Sequence, residues 1–123
     1  MTHIVSISAG PVTLAATLNG SATADAIWSA LPIEATARTW GDEIYFPIPV
    51  SHGEEKAQEV VEVGDVGYWP PGKALCLFFG PTPASHGSEV RPASPVNMVG
   101  RIQGDATVLK KVQSGAKVRV TRQ

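Results

Sequence analysis

Gly64-Asp-Val-Gly-Tyr-Trp-Pro-Pro-Gly-Lys-Ala-Leu-Cys-Leu-Phe-Phe-Gly80 is the stretch on which the fold turns. It reads as strand, tight turn, strand. Gly64-Asp65 is a turn pair, and Val66–Trp69 is a short β-prone run. Pro71 presets the first central position of a turn, and Gly72 is expected to supply the positive φ of a type II turn. Ala74–Phe79 follows as an unbroken apolar run. If it is extended, Ala74, Cys76 and Phe78 face one way and Leu75, Leu77 and Phe79 the other. Both faces are apolar, so the run predicts a central strand covered on both sides.

Outward from this stretch the chain continues to alternate. Toward the N-terminus, His3–Ser8 and Val12–Leu18 read as a hairpin around Gly10-Pro11. Ser21–Leu31 is alanine-rich, with Ile27, Trp28 and Leu31 at helical spacing, Ser21 or Thr23 as a cap and Pro32 as a stop. Ile33–Trp40 alternates as a strand with one wet face, Gly41-Asp42 turns, and Glu43–Pro47 is a strand with Ile44 and Phe46 opposite Glu43 and Tyr45. Ser51–Gln58 is a polar loop, and Glu59–Val63 alternates as a further strand, with Val61 and Val63 on one face. Beyond Gly80 a long irregular stretch carries Pro81, Pro83, Pro92 and Pro95, and such a loop in a compact domain is functional or a flap. Val96–Ile102 restores strand character, with Gly100 marking a bulge or a close backbone approach. Asp105 caps a short helix over Ala106–Val112, Gly115 ends it, and Lys117–Thr121 is the closing strand. Helices do not separate successive strands, so the pattern predicts a mainly β fold: a closed antiparallel β-barrel of about eight strands with one or two short helices. The 123 residues suit a single domain over 1–123.

Composition narrows the function classes. Net charge is −1, which favours neither nucleic acid nor an acidic membrane. Carboxylates dominate between Asp25 and Asp65, whereas Lys110, Lys111, Lys117, Arg119 and Arg122 carry the tail, and two solvated faces attracting each other account for this. Cys76 is the only cysteine, so it forms no internal disulfide, and its place between leucines predicts a buried structural thiol. No leader pattern and no membrane-length apolar run are present in the sequence, which makes the cytoplasm the expected location.

Few motifs carry chemistry. Gly67-Tyr-Trp-Pro-Pro-Gly72-Lys73-Ala74 approaches a phosphate-binding loop, but Pro70 and Pro71 lack the N–H donors of a phosphate cradle and Ala74 lacks the hydroxyl. His3, His52 and His86 have no metal-like spacing, and nothing calls for a metal or another cofactor. His52 stands near Glu54 and Glu55, as in any polar loop. No nucleophile elbow occurs, and no catalytic residue is assigned. The aromatics are more informative. Trp40 and Tyr45 lie on a strand face opposite the core, and Trp69 precedes the diproline turn. A groove for something apolar explains them, with Phe79 as a further wall and Glu43 or Arg101 fixing orientation.

Trp40-Gly-Asp-Glu-Ile-Tyr-Phe46, the Gly64–Gly80 block and Val96-Asn-Met-Val-Gly-Arg-Ile102 together resemble the small prokaryotic cyclophilin-like barrel proteins. The resemblance runs from Ile4 to Val120 and implies a closed eight-stranded barrel with short helices over its ends. Cyclophilins proper isomerise X-Pro bonds in an outer groove where an arginine engages the substrate. Their Phe-His-Arg or Phe-His-Lys string and their Gln-Gly-Gly-Asp string are absent here, and Arg38 occupies no matching motif. The sequence therefore favours a protein of unassigned activity that binds a peptide or small molecule in a groove lined by Arg38, Trp40, Glu43, Tyr45, Trp69, Phe79 and Arg101. The alternative is a peptidyl-prolyl cis-trans isomerase working through Arg38. A third reading is a homo-oligomer, with surface aromatics at the interface.

Overall fold

A computed structural model describes residues 3–123 of the chain. The strands are β1 (His3–Ala9), β2 (Val12–Leu18), β3 (Ile33–Thr36), β4 (Arg38–Thr39), β5 (Glu43–Pro47), β6 (Asp65–Trp69), β7 (Ala74–Phe78), β8 (Asn97–Ile102) and β9 (Lys117–Arg122), with one α-helix, α1 (Ala22–Ala30). They form a single sheet in the order β3-β9-β1-β2-β8-β6-β7-β5-β4, antiparallel at every pairing. The two ends of that order are consecutive in sequence. Only Ala37 separates β3 from β4, and its N–H donates to Ala116 O at 2.8 Å. One bent strand thus pairs with β9 through its first half and with β5 through its second. The barrel closes, and counted this way it has the eight strands expected from the sequence.

β7 lies between β5 and β6 and is buried along its length. Leu75, Leu77 and Phe79 join Ile44, Phe46, Val66, Tyr68 and Val99 in the main core inside the barrel. Cys76 and Phe78 face outward into a second apolar cluster with Val61, Val90 and Val96. Each large side chain buried this way contributes about 1.5–3 kcal/mol, so β7 is held from both sides. The outer cluster exists because the segments between β5 and β6 and between β7 and β8 fold back over the sheet. Gln58 and Val61 reach the second of these through single bridges to Val96 and Val90.

Three local expectations are corrected. Glu59–Val63 is not a strand: its neighbourhood makes only those isolated bridges, Val61 is buried, and Val60 and Val63 stand 40% and 44% exposed. With a single inward residue there is no apolar row to hold a ladder in register. The turn between β6 and β7 is a 3₁₀ turn over Pro70–Gly72, and Lys73, at φ 48°, takes the left-handed position expected of Gly72. Gly72 serves space rather than φ, since a Cβ there would stand 2.6 Å from the Trp69 ring. The second short helix is also 3₁₀, over Ala106–Lys111, with Asp105 accepting from the Thr107 N–H as its cap.

Elsewhere the local chemistry acts as read. Ser21 Oγ accepts from Ala24 N at the start of α1, and Leu31 leaves the helical region at ψ 148° before Pro32. β8 carries a bulge opposite Val66/Gly67, and a Cβ on Gly100 would collide with the Thr17 carbonyl. Among the described residues, no helix is long and apolar enough to cross a membrane.

Candidate functional site

The site is built on the outer face of β5 and β6. Alternation along β5 sends Ile44 and Phe46 inward and leaves Glu43 and Tyr45 outside. The hairpin before it is tight: Trp40 N donates to Glu43 O at 2.9 Å, and Gly41 turns at φ 60°. A Cβ at Gly41 would press into Thr82 and Pro83, so a glycine lets the hairpin tip dock on the loop that follows β7. That hairpin brings Trp40 up beside Glu43. On β6, Trp69 is the last residue before the diproline turn, and the missing Cβ of Gly72 makes room for its ring.

Residues 80–96 form the other wall. Their neck is closed by the Thr82 hydroxyl, which donates to Arg91 O, and by Ser85 Oγ, which accepts from the N–H groups of Thr82 and Arg91. Glu89 pairs with Arg91 at 2.7 Å. The segment is tied to the site by the Trp69 indole N–H, which donates to Ser94 Oγ at 2.6 Å. The loop read as functional or a flap is thus hydrogen-bonded at its neck and to Trp69. Between wall and sheet lies a cavity of about 240 Å³ lined by Trp40, Glu43, Tyr45, Trp69, Pro92, Ala93 and Val96.

Glu43 is the unusual group in it. The residue is 5% exposed, and its Oε1 is buried with no hydrogen-bond partner. Such an atom carries about 1–3 kcal/mol of uncompensated desolvation. Burial pushes the carboxyl up from 4.5 to about 7. The diagonal neighbour Cys76 tempers this shift, although no hydrogen bond of ordinary geometry reaches Oε1. Burial, and then the nearby Glu43 charge, push the Cys76 thiol well above its ordinary value, so it stays protonated. Cys76 is structural, as its sequence context implies.

Four of the expected residues therefore converge: Trp40, Glu43, Tyr45 and Trp69. Three do not line the cavity. Phe79 belongs to the core inside the barrel, because it shares the face of Leu75 and Leu77. Arg101 lines a separate open groove, where it pairs with Asp65 at 2.5 Å and donates to Val63 O at 3.1 Å. Arg38 is exposed on β4, opposite Tyr45 in the ladder, at the margin of the site. The sequence reading missed Pro92, Ala93 and Val96. The proline-rich composition of the loop was the available signal, but it does not say which sheet face the loop covers.

His52 and Glu55 do meet, though through a structural latch. Glu55 accepts from the N–H groups of Ala22 and Thr23 and from the Thr23 hydroxyl at 2.6 Å, capping α1 from a distant loop. Those three hydrogen bonds hold its carboxyl below the usual range. His52 Nδ1 lies 3.2 Å from the same hydroxyl, and buried Asn97 donates to it at 3.1 Å. The hydroxyl is fully enclosed by partners, which suits a latch and not a nucleophile. Among the described residues, no group of His, Cys, Asp and Glu is arranged to hold a metal.

Comparison with known proteins places this architecture. A family model described as Cyclophilin-like matches residues 3–121. The solution structure of the hypothetical protein AF2241 from Archaeoglobus fulgidus is similar at 44% identity and a TM-score of 0.85, covering 99% of this chain and 95% of that one. McbB, solved in complex with tryptophan, shares the fold at 16% identity and a TM-score of 0.72; the match covers 97% of this chain but 44% of McbB. No curated protein matches the chain.

Proposed function

The chain belongs to the cyclophilin-like family, and from that premise we propose that it is a binding protein whose cavity beside β5 and β6 takes a small molecule or a single side chain of a peptide. The observation that carries this reading is the convergence of Trp40, Tyr45 and Trp69 around a buried carboxyl group whose Oε1 has no hydrogen-bond partner. A core has no use for such a carboxylate: it costs stability unless something completes it. At about 240 Å³ the cavity lies below the ~300–1,000 Å³ of sites for drug-sized ligands. It suits one ring or one branched group. The isomerase alternative needs a guanidinium facing the substrate, and no arginine is among the lining residues.

Tryptophan fluorescence with a small-fragment library tests the proposal, because Trp40 and Trp69 line the cavity while Trp28 stacks on His3 elsewhere. Fragments are expected to perturb the wild type and to lose their effect in Tyr45→Ala. Chemical shifts that map instead to the groove around Arg101 would overturn it.

A further inference from the structure

We infer that the group completing the cavity is an organic ammonium, held by the Glu43 carboxylate and enclosed by the rings of Trp40, Tyr45 and Trp69. The inference rests on the binding reading above and names its ligand class. Four observations carry it. First, Glu43 lines the cavity while almost wholly buried, and its Oε1 has no hydrogen-bond partner, so the carboxyl is desolvated without being fully paired. Second, the lining contains no lysine, arginine or histidine, so the protein brings no positive charge of its own to that carboxylate. Third, the remaining polar reach of Trp69 is spent, its indole N–H being committed to Ser94. Three of the seven lining residues, Trp40, Tyr45 and Trp69, are aromatic. The face of an aromatic ring is the negative end of its quadrupole, and alkylated ammonium groups are the cations that aromatic cages hold. Carboxylate and rings thus have one electrostatic preference, which repels anions and leaves a neutral ligand's best interaction unused. Fourth, a volume of about 240 Å³ is suited to a branched ammonium head and excludes a large heterocycle.

The other ionisable groups near Glu43 do not supply this charge. Cys76, facing it from β7, is held neutral. Tyr45 shares its strand face, Arg38 stands exposed across the ladder from Tyr45, and Asp42 sits at the hairpin tip against Gly80. Arg91, next to Pro92 in the loop, is occupied by Glu89. An ammonium entering the cavity favours the ionised form of Glu43. Binding therefore releases a proton when it occurs near or below pH 7, and affinity rises with pH through that range.

The same head group can arrive on a free molecule or on an alkylated lysine of a peptide. The test uses choline, its neutral carbon isostere 3,3-dimethylbutan-1-ol, and a short peptide with and without a trimethylated lysine, all titrated into the full chain by calorimetry and tryptophan fluorescence. Choline is expected to bind about tenfold more tightly than the isostere, and more tightly at pH 8 than at pH 6. Glu43→Gln, which keeps the side-chain shape, is expected to remove that preference. A peptide response that exceeds choline and depends on methylation assigns the source to protein; choline alone assigns it to a free small molecule. Equal binding of choline and the isostere, unaffected by Glu43→Gln, would overturn the ammonium assignment and leave an apolar binding cavity standing. No response of the cavity tryptophans to any of the four probes would overturn the ammonium assignment. If the small-fragment library were silent as well, the binding reading itself would fall.

Discussion

Glu43 and Asp65 are two carboxylates in nearly the same situation. They lie on β5 and β6, the strands flanking β7, on the outer face of the barrel, and they are 5% and 7% exposed. Asp65 is fully partnered: Arg101 reaches its Oδ1 at 2.5 Å and the Glu62 N–H reaches Oδ2 at 2.8 Å. Glu43 has an orphan oxygen and a raised pKa. The sheet can evidently satisfy a buried acid at this depth. The difference is that Arg101 arrives from the adjacent β8, whereas the covering over Glu43 is Trp40, Tyr45, Trp69 and Pro92, which bring no cation. One acid closes a structural joint; the other is left without a cation.

The comparison breaks most directly at Glu43. Its pKa is raised from 4.5 to about 7, so the folded state binds the proton more tightly than the unfolded chain does. That contribution is fully present below pH 4.5 and is lost as pH rises through about 7. At about 1.4 kcal/mol per unit, the wild type loses about 3 kcal/mol across this window relative to Glu43→Gln. Urea denaturation of both proteins at several pH values between 4 and 8 measures it, and parallel pH profiles would show that Glu43 is satisfied after all. Arg101→Ala should have the opposite sense. It strands Asp65, and it should destabilise the fold by roughly 2 kcal/mol near neutral pH, the half-exposed guanidinium holding the loss below that of a fully buried pair. Thermal unfolding reads this, and a variant as stable as the wild type would dissolve the contrast between the two acids. The smallest effect is expected at Gly72→Ala, which places a Cβ against the Trp69 ring at 2.6 Å. The ring must shift, costing about 1–2 kcal/mol of packing and its bond to Ser94. A changed Trp69 fluorescence with β7 amide protection intact is the expected outcome.

Much of this was legible in the chain. The apolar run Ala74–Phe79 reads as a strand buried on both faces, and so it is. The alternation of Glu43 and Tyr45 with Ile44 and Phe46 gives the outer face of β5, and with Trp40 and Trp69 it gives the quartet around the cavity. Gly100 is the close backbone approach that its position implies, and it adjoins the bulge, whose extra residue is Val99. Phe79 was misplaced because both faces of β7 are apolar, and a period of two does not say which face is the interior. Arg101 was misplaced because its partner Asp65, 36 residues earlier, comes beside it only when β6 pairs with β8.

The sequence alone set most of the strands and the alternation of faces along each, because these follow from φ, ψ and side-chain period within a few residues. The tertiary structure decided which side became the inside, which loop covered the other side, and which buried charge found a partner. Those outcomes depend on groups far apart in the chain, and their energies exist only once the barrel has closed.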